Sequence, residues 1–239
     1  VYSNGNIDTN NNNTKNLLAS WRGIIKSANY DPTLAINLLK KSGFNAVYSF
    51  KIRHYELEFH THLVCQNFEK TFVSSYMGYI SIELFRTLLI LHDIGKTKAF
   101  IEGDKNRQYY HTKQIIKSIW KDLGYSQKEL SIILALLATD IVGEYFQGNF
   151  NIKEVSFKLY SLASSCSLPI ASFFRLFMIY YQCDVASYTA DAGGVKFLEH
   201  LFVYNNGEKV FDNEERLLKM TPKYWVMYQQ LKSELENGN

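Results

Sequence analysis

Residues 88–93 read Leu-Leu-Ile-Leu-His-Asp, an apolar run closed by a histidine and a carboxylate side by side, and Ile94-Gly95-Lys96 follows at once. At a helix end, neighbouring His and Asp side chains can converge on one point, and mixed nitrogen and oxygen donors suit a borderline or first-row divalent cation. A lone His-Asp pair is more often a helix cap or a surface hydrogen bond. This pair has company. His60 lies 32 positions earlier on a stripe that also carries Leu57, Val64, Phe68 and Phe72 at steps of three or four, and Asp184 lies 91 positions after Asp93 inside the longest apolar run. A carboxylate in such a run is costly unless it is paired or bound to a cation. Together the four residues describe one metal-lined pocket between packed helices. His62 competes with His60 for the first place, but it leaves the apolar face by its two-residue offset and reads as a rim histidine.

A His, then a His-Asp pair, then a distant Asp, all on helices, resembles the HD-domain superfamily of metal-dependent phosphohydrolases. Leu91-His92-Asp93-Ile94-Gly95-Lys96 is the most recognisable string of that family; His60 with Val64 matches its first motif, and Tyr180-Tyr181-Gln182-Cys183-Asp184 its last. The likeness spans about residues 55–190. It implies an HD-like helical bundle in which His60, His92, Asp93 and Asp184 hold one divalent ion, drawn from Mn, Fe, Co, Ni, Zn or Mg. Asp93 would orient the attacking water, Lys96 would balance charge on a phosphate, with Arg53 as a weaker phosphate contact, and His111 would either protonate the leaving oxygen or bind a second ion. Dinuclear members show a His-His pair where this chain has Ala138-Thr139-Asp140, so one ion is expected, with Asp140 the replacement ligand should there be two. The implied activity is hydrolysis of a phosphate ester of a nucleotide-like substrate, as a phosphomonoesterase or phosphodiesterase. The alternative is a catalytically silent HD-fold module that senses a nucleotide or supports a partner domain. Nuclease activity has only a basic N-terminal stretch in its favour: residues 1–53 carry a net charge of +5 in a chain of +3 overall.

The elements that must position these residues are helices. Asp31-Pro32 supplies an N-cap and a first-turn proline for a helix running to about Lys41, which Gly43 ends. Further helices are expected over Tyr55–Tyr76, Ile80–His92, Tyr110–Leu123 as far as Gly124, and from the Ser126–Glu129 capping box through Ile141. Another covers Phe173–Tyr188, and Thr221-Pro222 opens the last. Strand is hinted only at Ala46–Ile52 and Phe202–Val210, where Asn205-Asn206-Gly207 suits a hairpin turn. The class is therefore all-α with a short peripheral hairpin, and residues 15–239 read as a single helical domain.

With 239 residues, 46% hydrophobic and 21% charged, the chain excludes collagen-like and wholly disordered readings. Seven of the first sixteen residues are Asn, so residues 1–14 read as a disordered leader. The opening Val1-Tyr2-Ser3 suggests a piece of a longer polypeptide. No window reaches the ~18 uncharged apolar residues of a membrane span. Cys65, Cys166 and Cys183 are odd in number and lack metal-site spacing, which points to reduced, buried thiols and a cytoplasmic location.

Overall fold

The computed structural model describes residues 12–52, 55–76, 78–189 and 195–238. It is mostly helical, and its contacts divide into two compact units, one drawn from Val1–Cys65 and Ile80–Leu130, the other from Gln66–Tyr79 and Ser131–Asn239. No single helix among the described residues is long and apolar enough to cross a membrane.

The first unit begins with α1 (Asn12–Leu18), α2 (Trp21–Lys26) and α3 (Pro32–Leu39). α1 takes in the last residues of the stretch expected as a leader, with Thr14 and Leu18 buried, and the rest of that stretch lies outside the described residues. Asp31 caps α3 through the Thr33 N–H at 2.9 Å, and a π-helical turn over Lys40–Phe44 follows, in which Gly43 takes φ 103°. Of the strand expected at Ala46–Ile52, the first three residues are helical and only the last two are strand. α4 (Asn45–Tyr48) buries Val47 and Tyr48, and only β1 (Lys51–Ile52) pairs, antiparallel to β2 (Tyr55–Glu56).

α5 (Leu57–Asn67) and α6 (Ile82–Leu91) carry the two halves of the candidate site. In α6 every side chain from Leu84 to Leu91 is buried, so this helix is the hub of the unit. Trp21 Nε1 donates to Thr87 Oγ1 (3.1 Å), Tyr48 donates to the Ile90 carbonyl (2.9 Å), and buried Arg86 donates to the Ile25 carbonyl (2.8 Å) while lying over the Tyr30 ring. Arg86 is thereby a structural residue. α7 (Lys96–Ile101) and α8 (Gln108–Ile119) pack closely on each other, and α9 (Gln127–Leu136) opens on the expected capping box, with the Ser126 N–H donating to Glu129 Oε2 at 2.7 Å.

α9 stops at Leu136 instead of running through Ile141, because Asp140 restarts the chain as the N-cap of α10 (Ile141–Phe146) in the second unit. There the stripe of α5 continues through a π-helical turn at Phe68–Phe72, and both of these rings are fully buried. α11 (Ile152–Ser165), a helix beyond those expected, starts on an Asn151–Glu154 capping box. α12 (Ile170–Val185) is the core helix, three residues earlier at its start than Phe173, followed by α13 (Val195–Leu201). The hairpin at Asn205-Asn206-Gly207 is present as β3 (Tyr204–Asn205) and β4 (Glu208–Lys209), with φ of 51° at Asn206 and 79° at Gly207, and β5 (Phe211–Asp212) pairs with β6 (Leu217–Leu218). Buried Gln182 on α12 extends that pairing, giving and taking one hydrogen bond with the Leu218 backbone. α14 (Pro222–Asn237) closes the unit.

Candidate metal centre

α5 buries Leu57, His60, Val64 and Cys65 along one face, so His60 reaches the interior because its helical stripe does. His92 is the C-cap of α6, and Asp93 begins the tight turn to Gly95. All three site residues are at least 96% buried. Nε2 of His92 lies 3.3 Å from Nε2 of His60 and 3.5 Å from Oδ2 of Asp93, and Nε2 of His60 lies 3.7 Å from that same oxygen. The centre of such a triangle is about 2.0 Å from each corner, close to the ~2.0–2.2 Å at which a zinc-sized divalent ion sits from imidazole nitrogen and carboxylate oxygen. Among the described residues, His60, His92 and Asp93 form the group that could hold a metal ion.

The atoms behind the triangle also fit a cation. His92 Nδ1 is 2.7 Å from the Leu89 carbonyl, which can only accept, so Nδ1 carries the proton and Nε2 presents its lone pair inward. Gln108 Nε2 donates to Asp93 Oδ1 at 2.7 Å and fixes the carboxylate plane from α8. Burial alone would raise the Asp93 carboxyl, but the charge of Lys96, joined by His92 and His60 whenever those imidazoles are protonated, outweighs it and holds the group well below the usual carboxylate range. Lys96 donates to Oδ2 at 2.7 Å, with its side chain about a quarter exposed and its ammonium 5.9 Å from the centre of the Tyr55 ring.

No protein-family model, curated protein or solved structure matches the chain.

Of the other expected site residues, His62 turns away to Thr33 on α3, 3.4 Å from its Oγ1, as a rim histidine would. His111 is buried on α8 and spends Nε2 on Glu102 Oε2 at 2.8 Å; Arg107 reaches the same oxygen at 2.9 Å. The hydrogen bond from His111 is the chief reason that the Glu102 carboxyl sits below its ordinary value. Arg53 lies outside the described residues. Asp140 and Asp184 belong to the second unit. Asp140 accepts the Gly143 N–H at 3.1 Å, and burial first, then the charge of Asp184, push its carboxyl up to about 7.

Gln108 and Glu102 escaped the sequence reading. Neither type nor spacing marks them, since each acquires its partner only through the packing of α7 on α8. The glycine between Asp93 and Lys96 was the available signal. A Cβ on Gly95 would lie 2.2 Å from the Thr112 nitrogen and 2.6 Å from the Gln108 carbonyl, so only glycine lets α8 come this close.

Proposed function

We propose that the chain is a metal-dependent phosphohydrolase of the HD type, acting on a phosphate ester of a nucleotide-like substrate. The observation that supports it is the buried triangle of His60, His92 and Asp93, which has the donor types and edge lengths of a three-residue divalent-ion cradle. In this reading the helices around it form an HD-like bundle. A divalent ion there would supply Lewis acidity toward a phosphoryl oxygen and would acidify water toward a pKa of ~7.

The chain's own residues do the rest. Asp93, anchored at Oδ1 by Gln108, keeps Oδ2 turned to the two imidazoles and orients the attacking water. Lys96, partly exposed beside Oδ2, meets the charge of the phosphoryl group. His111 and Glu102 share the proton at His111 Nε2, and that proton goes to the leaving oxygen. His111 sits one helical turn beyond Gln108, which bonds Asp93, and next to Thr112, which bonds Gly95.

The test is metal analysis of protein purified without chelators, joined to a phosphate-release screen over nucleotides. Asp93→Asn keeps the shape and removes the charge, so metal content and activity should fall together, by more than the ~10–100-fold that loss of an outer partner costs. Chelation should lower the Tm of the wild type and leave that of the variant almost unmoved. Full activity in Asp93→Asn would falsify the assignment. The silent-module reading draws on the ammonium of Lys96, which already compensates Asp93; it predicts negligible metal in every preparation.

A further inference from the structure

We infer that Lys96 is a tethered cation that competes with the metal ion for Asp93 Oδ2 and thereby sets the ion affinity of the site. The inference rests on the metal-site reading above and concerns its regulation. Asp93 presents two oxygens with different duties. Oδ1 receives the Gln108 amide, a neutral donor, at 2.7 Å. Oδ2 receives the Lys96 ammonium at 2.7 Å and is also the oxygen that completes the triangle with the two Nε2 atoms, at 3.5 and 3.7 Å. One oxygen is thus shared between a fixed ammonium and any ion that enters.

Two positive charges a few ångströms apart in a buried setting repel strongly, because little water is left to screen them. An incoming divalent ion must therefore displace Lys96 or bind more weakly beside it. Displacement has an exit, since Lys96 is three residues from Asp93 at the start of α7, its side chain is about a quarter exposed, and the Tyr55 ring lies within 5.9 Å to receive the ammonium on its face. The same residue keeps the buried carboxylate compensated whenever the ion leaves, so the site can release metal without unfolding. A weakly charged or poorly matched ion would fail to dislodge the ammonium, and the site would discriminate in favour of ions that bind the imidazoles well.

Lys96→Met keeps the stem and removes the charge. Titrated calorimetrically with Mn2+ against chelator-treated protein, the variant should bind at least about tenfold more tightly than the wild type, a gain of ~1.4 kcal/mol. Its chelated form should melt below the chelated wild type, and Mn2+ should restore more of the Tm. Equal or weaker Mn2+ binding by Lys96→Met would overturn the inference while leaving the metal site intact. Should Mn2+ bind neither protein, the inference and the metal-site reading fall together. In case Lys96→Met does not fold, amine-reactive footprinting of the wild type, read by mass spectrometry, gives the same answer: Lys96 should become several-fold more reactive when Mn2+ is added. Unchanged or reduced reactivity on loading would refute displacement.

Discussion

Asp93 is held by two donors that differ in charge, and their removal should have opposite effects on ion binding. Gln108 serves the oxygen that faces away from the imidazoles, so it aligns the ligand without competing for the ion. Gln108→Leu fills the same volume and cannot donate. The Mn2+ affinity of this variant should fall ~10–100-fold, the usual cost of losing an outer-shell partner, and the chelated protein should lose about 1–3 kcal/mol of stability from the unsatisfied buried oxygen. Calorimetry and chemical denaturation measure the two quantities, and an unchanged affinity would show that the amide does not orient Asp93. The contrast with Lys96→Met separates charge from geometry at one carboxylate. At this scale the gathering of His60, His92 and Asp93 was legible from their types and spacing. Choosing His60 over His62 needed only the face of one helix, and the structure sends His62 to Thr33 instead. Gln108 and Glu102 were invisible because a glutamine at the start of one helix and a glutamate at the end of another look like solvated side chains until α7 and α8 meet.

That meeting depends on a single glycine. Gly95 has an ordinary negative φ, so conformational freedom is not its purpose; its missing side chain is. The α8 backbone at Gln108 and Thr112 occupies the space a Cβ would need, and the Gly95 N–H donates to Thr112 Oγ1 at 3.1 Å. Gly95→Ala must therefore push α8 outward, and backbone cannot give as a flexible side chain can. A loss of about 1–3 kcal/mol is expected from the overpacking, together with weaker Mn2+ binding, because Gln108 moves with α8. Gly23 is the control. It lies exposed within α2 with nothing within 4 Å of a Cβ, so Gly23→Ala should raise stability by about 0.4–1 kcal/mol and leave Mn2+ binding alone. A tolerated Gly95→Ala would mean that α7 and α8 are not held at this distance. The helices themselves were largely readable, since Asp31-Pro32, Ser126–Glu129 and Thr221-Pro222 are local start signals that the structure uses. The failures came where local signal conflicts with packing. α9 carries an apolar pattern through Ile141, yet Asp140 satisfies the Gly143 N–H and begins a new helix. The β-rich run after Gly43 closes a helical turn because Val47 and Tyr48 find buried places there.

For the molecule as a whole, composition indicated a helical protein and little about its division. Two units that interleave in sequence, with Gln66–Tyr79 counted among residues more than fifty positions later, leave no linker for a composition shift to reveal. The basic start is also less available than its net charge suggests: Arg22 lies over the Tyr125 ring and 3.9 Å from Glu129, and Lys40 is paired with Glu58. The three cysteines offer a readout of each unit separately. All three are buried thiols outside any disulfide, Cys65 on α5 in the first unit and Cys166 and Cys183 in the second. A buried thiol is alkylated only when its surroundings open. Cys65 lies five residues beyond His60 on the same helix, so an opening that exposes it also breaks the triangle, and an ion that binds only the closed form must suppress that opening. With free Mn2+ at about 100 times its Kd, the alkylation of Cys65 by iodoacetamide should slow by ~100-fold. Labelling of Cys166 and Cys183, followed in the same digest by mass spectrometry, should change far less, because none of the three triangle residues lies in their unit. Equal slowing at all three thiols would show that the ion acts through more than His60, His92 and Asp93, and no slowing at Cys65 would show that α5 does not carry a ligand.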